Sequence, residues 1–259
     1  MIFGKRSDRE LKYAKAKAKA TEFFVDPSSV PHFKLNSDEL HYTSILTLST
    51  YVNSRLSGDD GAEYMTDLQK VGSFYDSASN DERYREYSDG YWTLAMATYF
   101  LLGNYGSAKV CAEKVKEPDF YGARARTLYD LIMFLLVPSQ PVPPDLAILA
   151  DYLAGEDVDR AEVISAADSL LTEDSPEDTF FSGVLYVSIS DAVSCSARAL
   201  LPGYTHLDIN DWRSFLSTEA APKLLWQAQR QIGLAGVFAG ENAFIQLPTG
   251  SGKTRSVEL

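Results

Sequence analysis

The sequence predicts a mainly α protein that ends in the first strand, a glycine-rich loop and the helix start of an α/β unit. Apolar residues recur at intervals of three and four from about residue 37 to residue 239, which is the spacing of amphipathic helices. Alternating strand patterns are absent before about residue 240, and only the last thirty residues depart from this organisation. The 259 residues, 45% of them apolar, are enough to bury a sizeable core.

Charge is spread unevenly along the chain, which has a formal net charge of −12. Residues 1–20 hold seven lysines and arginines and two acidic residues, a local charge of +5, so the remainder carries −17. This acidic balance argues against nucleic-acid wrapping by the whole chain through charge alone. We interpret residues 1–36 as a basic helix and linker, whose lysines either form a solvated face or contact nucleic acid.

The cysteine and hydropathy patterns predict a cytoplasmic protein with no membrane segment. Cys111 and Cys195 are too few for a disulfide framework, and both lie in apolar helical patterns, so we expect reduced core thiols. The N-terminus lacks the apolar stretch of a secretory signal. The longest apolar run, residues 131–137, is far too short to cross a bilayer.

Residues 37–220 predict a helical domain that is divided by polar loops. Residues 57–61 contain two glycines and two aspartates and predict the first loop, and residues 76–80 predict a second polar connection. Four prolines fall within residues 138–144, where a helix interior cannot accommodate them. This segment is the strongest linker candidate and a possible boundary within the domain.

Several acidic residues near predicted loops favour helix caps over a catalytic site. Ser175 is a good N-cap, since Pro176 takes the first helical position and Asp178 the place of the capping-box acid. The clusters at residues 156–159 and 173–174 lack a neighbouring histidine, cysteine or glycine-rich loop. We therefore interpret them as solvated caps that interact favourably with helix dipoles, and not as an enzyme centre.

The stretch from Ala97 to Ala108 resembles a tetratricopeptide repeat. In that family a Gly-x-Tyr-x-x-Ala pattern closes one helix and opens the next, as Gly103, Tyr105 and Ala108 would here. Only one copy is visible, whereas a stable array needs three or more. A generic helical hairpin explains the residues equally well, so we expect paired helices in a bundle or a short helical-repeat domain.

Four aromatic residues of the helical region share helical spacing: Tyr84, Tyr87, Tyr91 and Trp92. Such side chains can stack on nucleic-acid bases. Packing in the core of a helical hairpin is the alternative, and we favour it because aromatic residues at this spacing usually form the buried face of a helix.

The last thirty residues predict an order of elements that the preceding chain does not have. A helix of about 18 residues is expected to end at Gly240, followed by a short buried strand at residues 243–247. The sequence then reads Pro-Thr-Gly-Ser-Gly-Lys-Thr over residues 248–254, with a new helix starting at residues 252–258. Strand, glycine-rich loop and helix form the context that a phosphate-binding P-loop requires.

The residue types of this loop match the chemistry of a bound nucleoside triphosphate. Glycines let the backbone turn and point N–H groups at phosphate oxygens, and the new helix adds its positive N-terminal end. Lys253 would reach the β- and γ-phosphates, and the Thr254 hydroxyl would coordinate Mg²⁺, so these two residues are the catalytic candidates. The predicted ATP and Mg²⁺ site comprises Thr249, Gly250, Ser251, Gly252, Lys253 and Thr254.

This C-terminal segment resembles motif I of superfamily 2 helicases and translocases, the group that includes the DEAD- and DEAH-box proteins. The general P-loop pattern has glycine where this chain has Leu247, but the superfamily tolerates small or apolar residues there. The family also has an upstream glutamine that binds adenine. Gln229 lies nineteen residues before Pro248 and fits that spacing, with Gln227 and Gln231 as rivals.

The resemblance covers residues 224–259 and implies the start of a RecA-like ATP-binding domain at residues 221–259. It implies a parent protein that hydrolyses ATP to move on nucleic acid, with DNA favoured over RNA. The acidic Mg²⁺ motif and second RecA-like domain of that family are missing here. We therefore expect a fragment or a truncated product that is inactive by itself. The alternative function is a helical scaffold that binds a protein partner, in DNA repair or phage defence.

Overall fold

The computed structural model describes residues 37–138 and 140–245, and these residues are mainly helical. The prediction of a mainly α protein is therefore confirmed. The helices are α1 (Ser37–Leu56), α2 (Met65–Ser79), α3 (Ser88–Leu101), α4 (Tyr105–Ala112), α5 (Ala123–Leu136), α6 (Ala147–Leu153), α7 (Arg160–Asp168), α8 (Pro176–Cys195), α9 (Ala197–Thr205), α10 (Ile209–Leu216) and α11 (Gln227–Leu234). Short 3₁₀ turns lie at Ala62–Tyr64, Glu82–Tyr87, Pro144–Leu146 and Val237–Ala239. The only β pairing in the described ranges is an isolated antiparallel bridge between Ser196 and Leu224.

The chain divides into two compact units, which we call unit 1 and unit 2. In the part that the structure describes, unit 1 comprises residues 37–129 and 174–184. Unit 2 comprises residues 130–173, apart from residue 139, and residues 185–245. The divisions fall inside α5 and α8. The sequence-based boundaries at residues 36 and 220 remain predictions.

Unit 1 is organised around α3, which is buried on every side. Eleven of its fourteen residues are buried, among them Trp92, Met96 and Phe100. The neighbouring α2 approaches α3 closely at Gly72, where a Cβ atom would come within 2.9 Å of the Tyr99 ring. A small residue at this point lets the two helices meet, and their burial removes a large apolar surface from water.

Helices α3 and α4 form the hairpin that the sequence predicts. Gly103 adopts a left-handed conformation with φ of 70°, which ends α3 and redirects the chain. Tyr105 and Ala108 are buried, and the rings of Phe100 and Tyr105 lie 5.2 Å apart. The helical hairpin is confirmed, whereas an array of tetratricopeptide repeats remains a prediction.

The predicted connection at residues 76–80 is wrong in position, because α2 continues to Ser79. The apolar face of α2 continues through Phe74 and Tyr75 to Ala78, all of which are buried. The polar residues of this segment suggested a loop, but their side-chain hydroxyls form hydrogen bonds to backbone carbonyls within the helix. The Ser79 hydroxyl, for example, donates to the carbonyl of Tyr75 at 2.6 Å.

The predicted loop at residues 57–61 and the predicted caps at Ser175 and Asp159 are confirmed. Residues 57–61 form a loop, and the described prolines of residues 138–144 precede α6, with only Pro144 entering a helical turn, as the first residue of the 3₁₀ turn. At the start of α8, the Asp178 backbone N–H donates to the Ser175 hydroxyl at 3.0 Å. At the start of α7, Asp159 accepts from the backbone of Glu162 at 2.8 Å, as expected for a cap.

The C-terminal part of unit 2 is held by a small apolar cluster between α9, α10 and the segment before α11. Its buried members are Ala197, Leu201, Leu216 and Leu225. Partly buried side chains pack around them: Leu200, Tyr204, Ile209, Trp212, Phe215 and Phe238. This cluster fixes where α11 begins, and α11 carries the predicted adenine-binding glutamine.

Candidate functional site

The predicted phosphate loop lies outside the described residues. This applies to Thr249, Gly250, Ser251, Gly252, Lys253 and Thr254, and to the Leu247 position before them. The structure does describe the approach to the loop, from the segment before α11 to Ile245. It therefore bears on the place of Gln229 and not on the place of the phosphate-binding residues.

The helix that carries Gln229 is much shorter than the sequence predicts. The prediction of about 18 residues ending at Gly240 is wrong, since α11 has eight residues and ends at Leu234. Gly236 follows with φ of 77°, and its carbonyl accepts from the backbone N–H groups of Ala239 and Glu241 at 3.0 and 3.1 Å. A left-handed glycine terminates an α-helix in this way, and here a 3₁₀ turn follows.

The predicted strand at residues 243–247 is described only as far as Ile245. Residues 243–245 have no strand pairing, and Phe244 is 95% exposed while Ile245 is 46% exposed. A buried strand requires neighbouring strands to pair its backbone groups. The strand therefore stays a prediction, together with the RecA-like domain it would begin.

Gln229 is buried and caps its own helix. The side chain is 2% exposed, and its Oε1 atom accepts a hydrogen bond from the backbone N–H of Trp226 at 2.7 Å. This bond satisfies a donor at the helix N-terminus. The rival candidates Gln227 and Gln231 are both exposed. To bind adenine through both amide atoms, Gln229 has to share this oxygen or turn away from the cap.

Two contacts place α11 against neighbouring parts of unit 2. Gly233 lies directly under the ring of Tyr204 on α9, so that a Cβ atom at residue 233 would overlap the ring. The Tyr204 ring also lies 6.3 Å from that of Phe238, in the turn after α11. The absence of a side chain at Gly233 is what allows this close approach.

Arg230 is a residue that the sequence analysis missed. Its Nη1 atom donates to the Cys195 sulfur at 3.1 Å. Its Nε atom is buried and has no hydrogen-bond partner among the described residues. The sequence carries no signal for this burial, because an arginine on a short helix rich in glutamine is expected to face water.

The two thiols have different environments, and both are free. Cys111 is buried in α4, and burial, together with the charge of Asp76, raises the pKa of its thiol to about 12. Cys195 ends α8 and is partly exposed, so the expectation of a core thiol is wrong at this position. Its place at a helix end, beside Arg230, explains the difference.

Two of the four aromatic residues with predicted helical spacing belong to the core of unit 1, whereas Tyr84 is only partly buried. Tyr91 and Trp92 are 7% and 5% exposed, and the Tyr91 ring lies 5.6 Å from that of Tyr75. Burial raises the pKa of Tyr75 well above its ordinary value. Tyr87 differs, being 53% exposed with its ring 6.3 Å from Tyr91. Core packing is thus confirmed for Tyr91 and Trp92.

The described residues show no cluster of metal ligands and no membrane-spanning helix. Within residues 37–138 and 140–245, no three histidine, cysteine or carboxylate side chains come together as metal ligands would. No helix in these ranges is long and apolar enough to span a membrane. Comparison of the chain with family models, curated proteins and solved structures finds no match. The function of the chain therefore has to be inferred from its own residues.

Proposed function

We propose that this chain is the N-terminal portion of an ATP-dependent nucleic-acid helicase or translocase. The observation that carries the proposal is the sequence Pro-Thr-Gly-Ser-Gly-Lys-Thr at residues 248–254, preceded at the family spacing by Gln229. Each residue type in this loop has a physical task in holding a triphosphate, and the full pattern is much more specific than an isolated glycine pair.

The proposal assigns roles to the residues of the loop. Backbone N–H groups at Gly250, Ser251 and Gly252 would surround the phosphates, while Lys253 neutralises charge on the β- and γ-phosphates. The Thr254 hydroxyl would be the protein ligand of Mg²⁺. Hydrolysis needs in addition a carboxylate that aligns water and arginines at the γ-phosphate.

The helical units would serve the motor as an accessory region. Nucleic acid, with DNA favoured, would bind mainly through the motor core, which carries the basic groove in such enzymes. The net charge of −12 is compatible with this division, because the helical region then need not bind phosphate groups.

Titration of the purified chain with a fluorescent ATP analogue and Mg²⁺ tests the proposal. We expect Lys253→Ala to weaken binding at least about tenfold, since a charged contact to phosphate is worth about 1.5–3 kcal/mol. Lys109→Ala is the matched control, because Lys109 is a partly exposed lysine that pairs with Glu113 at 3.8 Å on α4. It should bind as the wild type does.

Magnesium dependence provides the second arm of the experiment. Removing Mg²⁺ should weaken binding to the wild type, and Thr254→Ala should lose most of that dependence. Equal affinity in wild type and Lys253→Ala would contradict a P-loop. Absence of binding in every variant would also count against the proposal, and would favour the helical scaffold whose function is to bind a protein partner.

A further inference from the structure

Helix α11 is joined to the α8–α9 junction by a short antiparallel bridge. The Leu225 backbone N–H donates to the Cys195 carbonyl at 2.8 Å, and the Ala197 N–H donates to the Lys223 carbonyl at 3.2 Å. Leu224 and Leu225 are both buried. This pairing holds the chain immediately before Trp226, and α11 starts one residue later.

A second connection runs from the helix itself to the same junction. Arg230 donates from Nη1 to the Cys195 sulfur at 3.1 Å, so the backbone and the side chain of Cys195 both hold the α11 region. An isolated helix of eight residues is unstable in water. The orientation of α11 about its axis, and hence of Gln229, therefore depends on such contacts.

Stability alone does not explain an arginine at this position. A thiol sulfur is a weak acceptor, and the buried Nε atom has no partner among the described residues. Leaving a buried donor unpaired costs free energy, which an apolar side chain of similar length would avoid. A buried donor without a partner, next to a proposed binding residue, makes Arg230 a candidate for a functional role.

We propose that Arg230 is a positioning residue for nucleotide recognition, acting through the Cys195 thiol. By fixing the rotation of α11, the contact sets where the Gln229 side chain lies, and an adenine base would meet its amide there once Oε1 is shared with, or released from, the Trp226 N–H. The inference rests on the proposed function, because it requires that a nucleotide binds beside α11. It concerns base selectivity, whereas the phosphate loop supplies affinity for any nucleoside triphosphate.

The dissociation constants of ATP and GTP, measured with Mg²⁺ on the full chain, separate these contributions. The wild type should prefer ATP by about tenfold, the discrimination that a bidentate glutamine–adenine pair can supply. Arg230→Met and Cys195→Ala should reduce the preference to near unity without changing the affinity for GTP. Cys195→Ser should keep the preference, because its hydroxyl still accepts from Arg230.

Arg160→Met is the matched control for the loss of an arginine at this junction. Arg160 donates to the Ser194 hydroxyl at 3.1 Å, one residue before Cys195, but it lies on α7 and not on α11. Arg160→Met should retain the ATP preference. Hydrogen exchange adds a readout that needs no nucleotide, since amides of α11 should exchange faster in Arg230→Met than in Arg160→Met.

The outcomes distinguish the inference from the proposed function. If the wild type binds no nucleotide, the proposed function fails and the inference fails with it. If the wild type prefers ATP and Arg230→Met retains that preference, only the inference is overturned. A parallel loss of ATP and GTP affinity, together with a lower melting temperature, would make Arg230 a purely structural residue. Unchanged hydrogen exchange of the α11 amides in Arg230→Met would also overturn the positioning role of Arg230.

Discussion

Helices α3 and α11 are held in place by different means. Eleven of the fourteen residues of α3 are buried, so its position follows from the removal of a large apolar surface from water. Only three of the eight residues of α11 are buried, namely Gln229, Ile232 and Gly233. A few particular contacts place α11. The loss of any one of them should destabilise the helix more than the small surface area that the contact buries would suggest.

The largest expected effect comes from opening a cavity beside α3. Phe100→Ala should destabilise the protein by about 3–5 kcal/mol, because Phe100 is 1% exposed and packs against Tyr105. Phe244→Ala is the same substitution at a residue that is 95% exposed, and it should change stability by less than about 0.5 kcal/mol. Urea unfolding measures both, and similar losses would mean that α3 is not the centre of the core.

We expect α11 to be sensitive to added side-chain volume where it packs closely against α9. Gly233→Ala would place a methyl group against the Tyr204 ring and should cost about 1–3 kcal/mol. Gly203→Ala, on α9, has open space around the new methyl group, and should stabilise the protein by up to about 1 kcal/mol through helix propensity. Thermal unfolding of the two variants tests the contact, and a neutral Gly233→Ala would show that α11 is not held there.

Alkaline pH should affect the two units differently. Burial raises the pKa values of Cys111, Tyr99 and Tyr121 in unit 1, with Cys111 moving from 9.0 to about 12. Because their neutral forms are favoured in the folded state, these groups contribute fully to the free energy of unfolding below pH 9. The contribution falls as pH rises towards 12. Burial lowers the pKa of Lys223 in unit 2 from 10.5. Its effect on the free energy of unfolding therefore becomes more favourable to the folded state as pH rises.

Single-tryptophan variants can follow the two units separately. Trp92 reports on unit 1 and Trp212 on unit 2. The urea midpoint followed by Trp92 should fall more steeply above pH 9 than the midpoint followed by Trp212. A constant midpoint for Trp92 across this range would contradict the burial of the unit 1 thiol and phenols.

The same contrast explains what could be predicted from the sequence. The hairpin at Gly103 and the cap at Ser175 were correct because their signals are local and belong to adjacent residues. The start of α11 could not be predicted, since it depends on pairing between Leu224 and Ser196, which are distant in sequence. Its end was predicted wrongly although the signal, the left-handed Gly236, is local. The contact of Arg230 with Cys195 depends on the same distant junction.

The proposed phosphate loop is the reverse case. Its residues can be singled out from the sequence alone, because a P-loop is a continuous motif whose chemistry resides in adjacent residues. The complete proposed site could not be predicted in this way, since it would also need a side chain that binds the base. Gln229 was a sequence prediction, whereas its use in capping α11 could be learned only from the structure.

The affinity of the chain for Mg·ATP, measured beside that of Lys253→Ala, tests the proposed function most directly. We predict saturable binding to the wild type and to Lys109→Ala, with a dissociation constant at least about tenfold higher for Lys253→Ala. Equal dissociation constants for the wild type and Lys253→Ala would contradict a phosphate-binding loop at residues 248–254, and with it the proposed function.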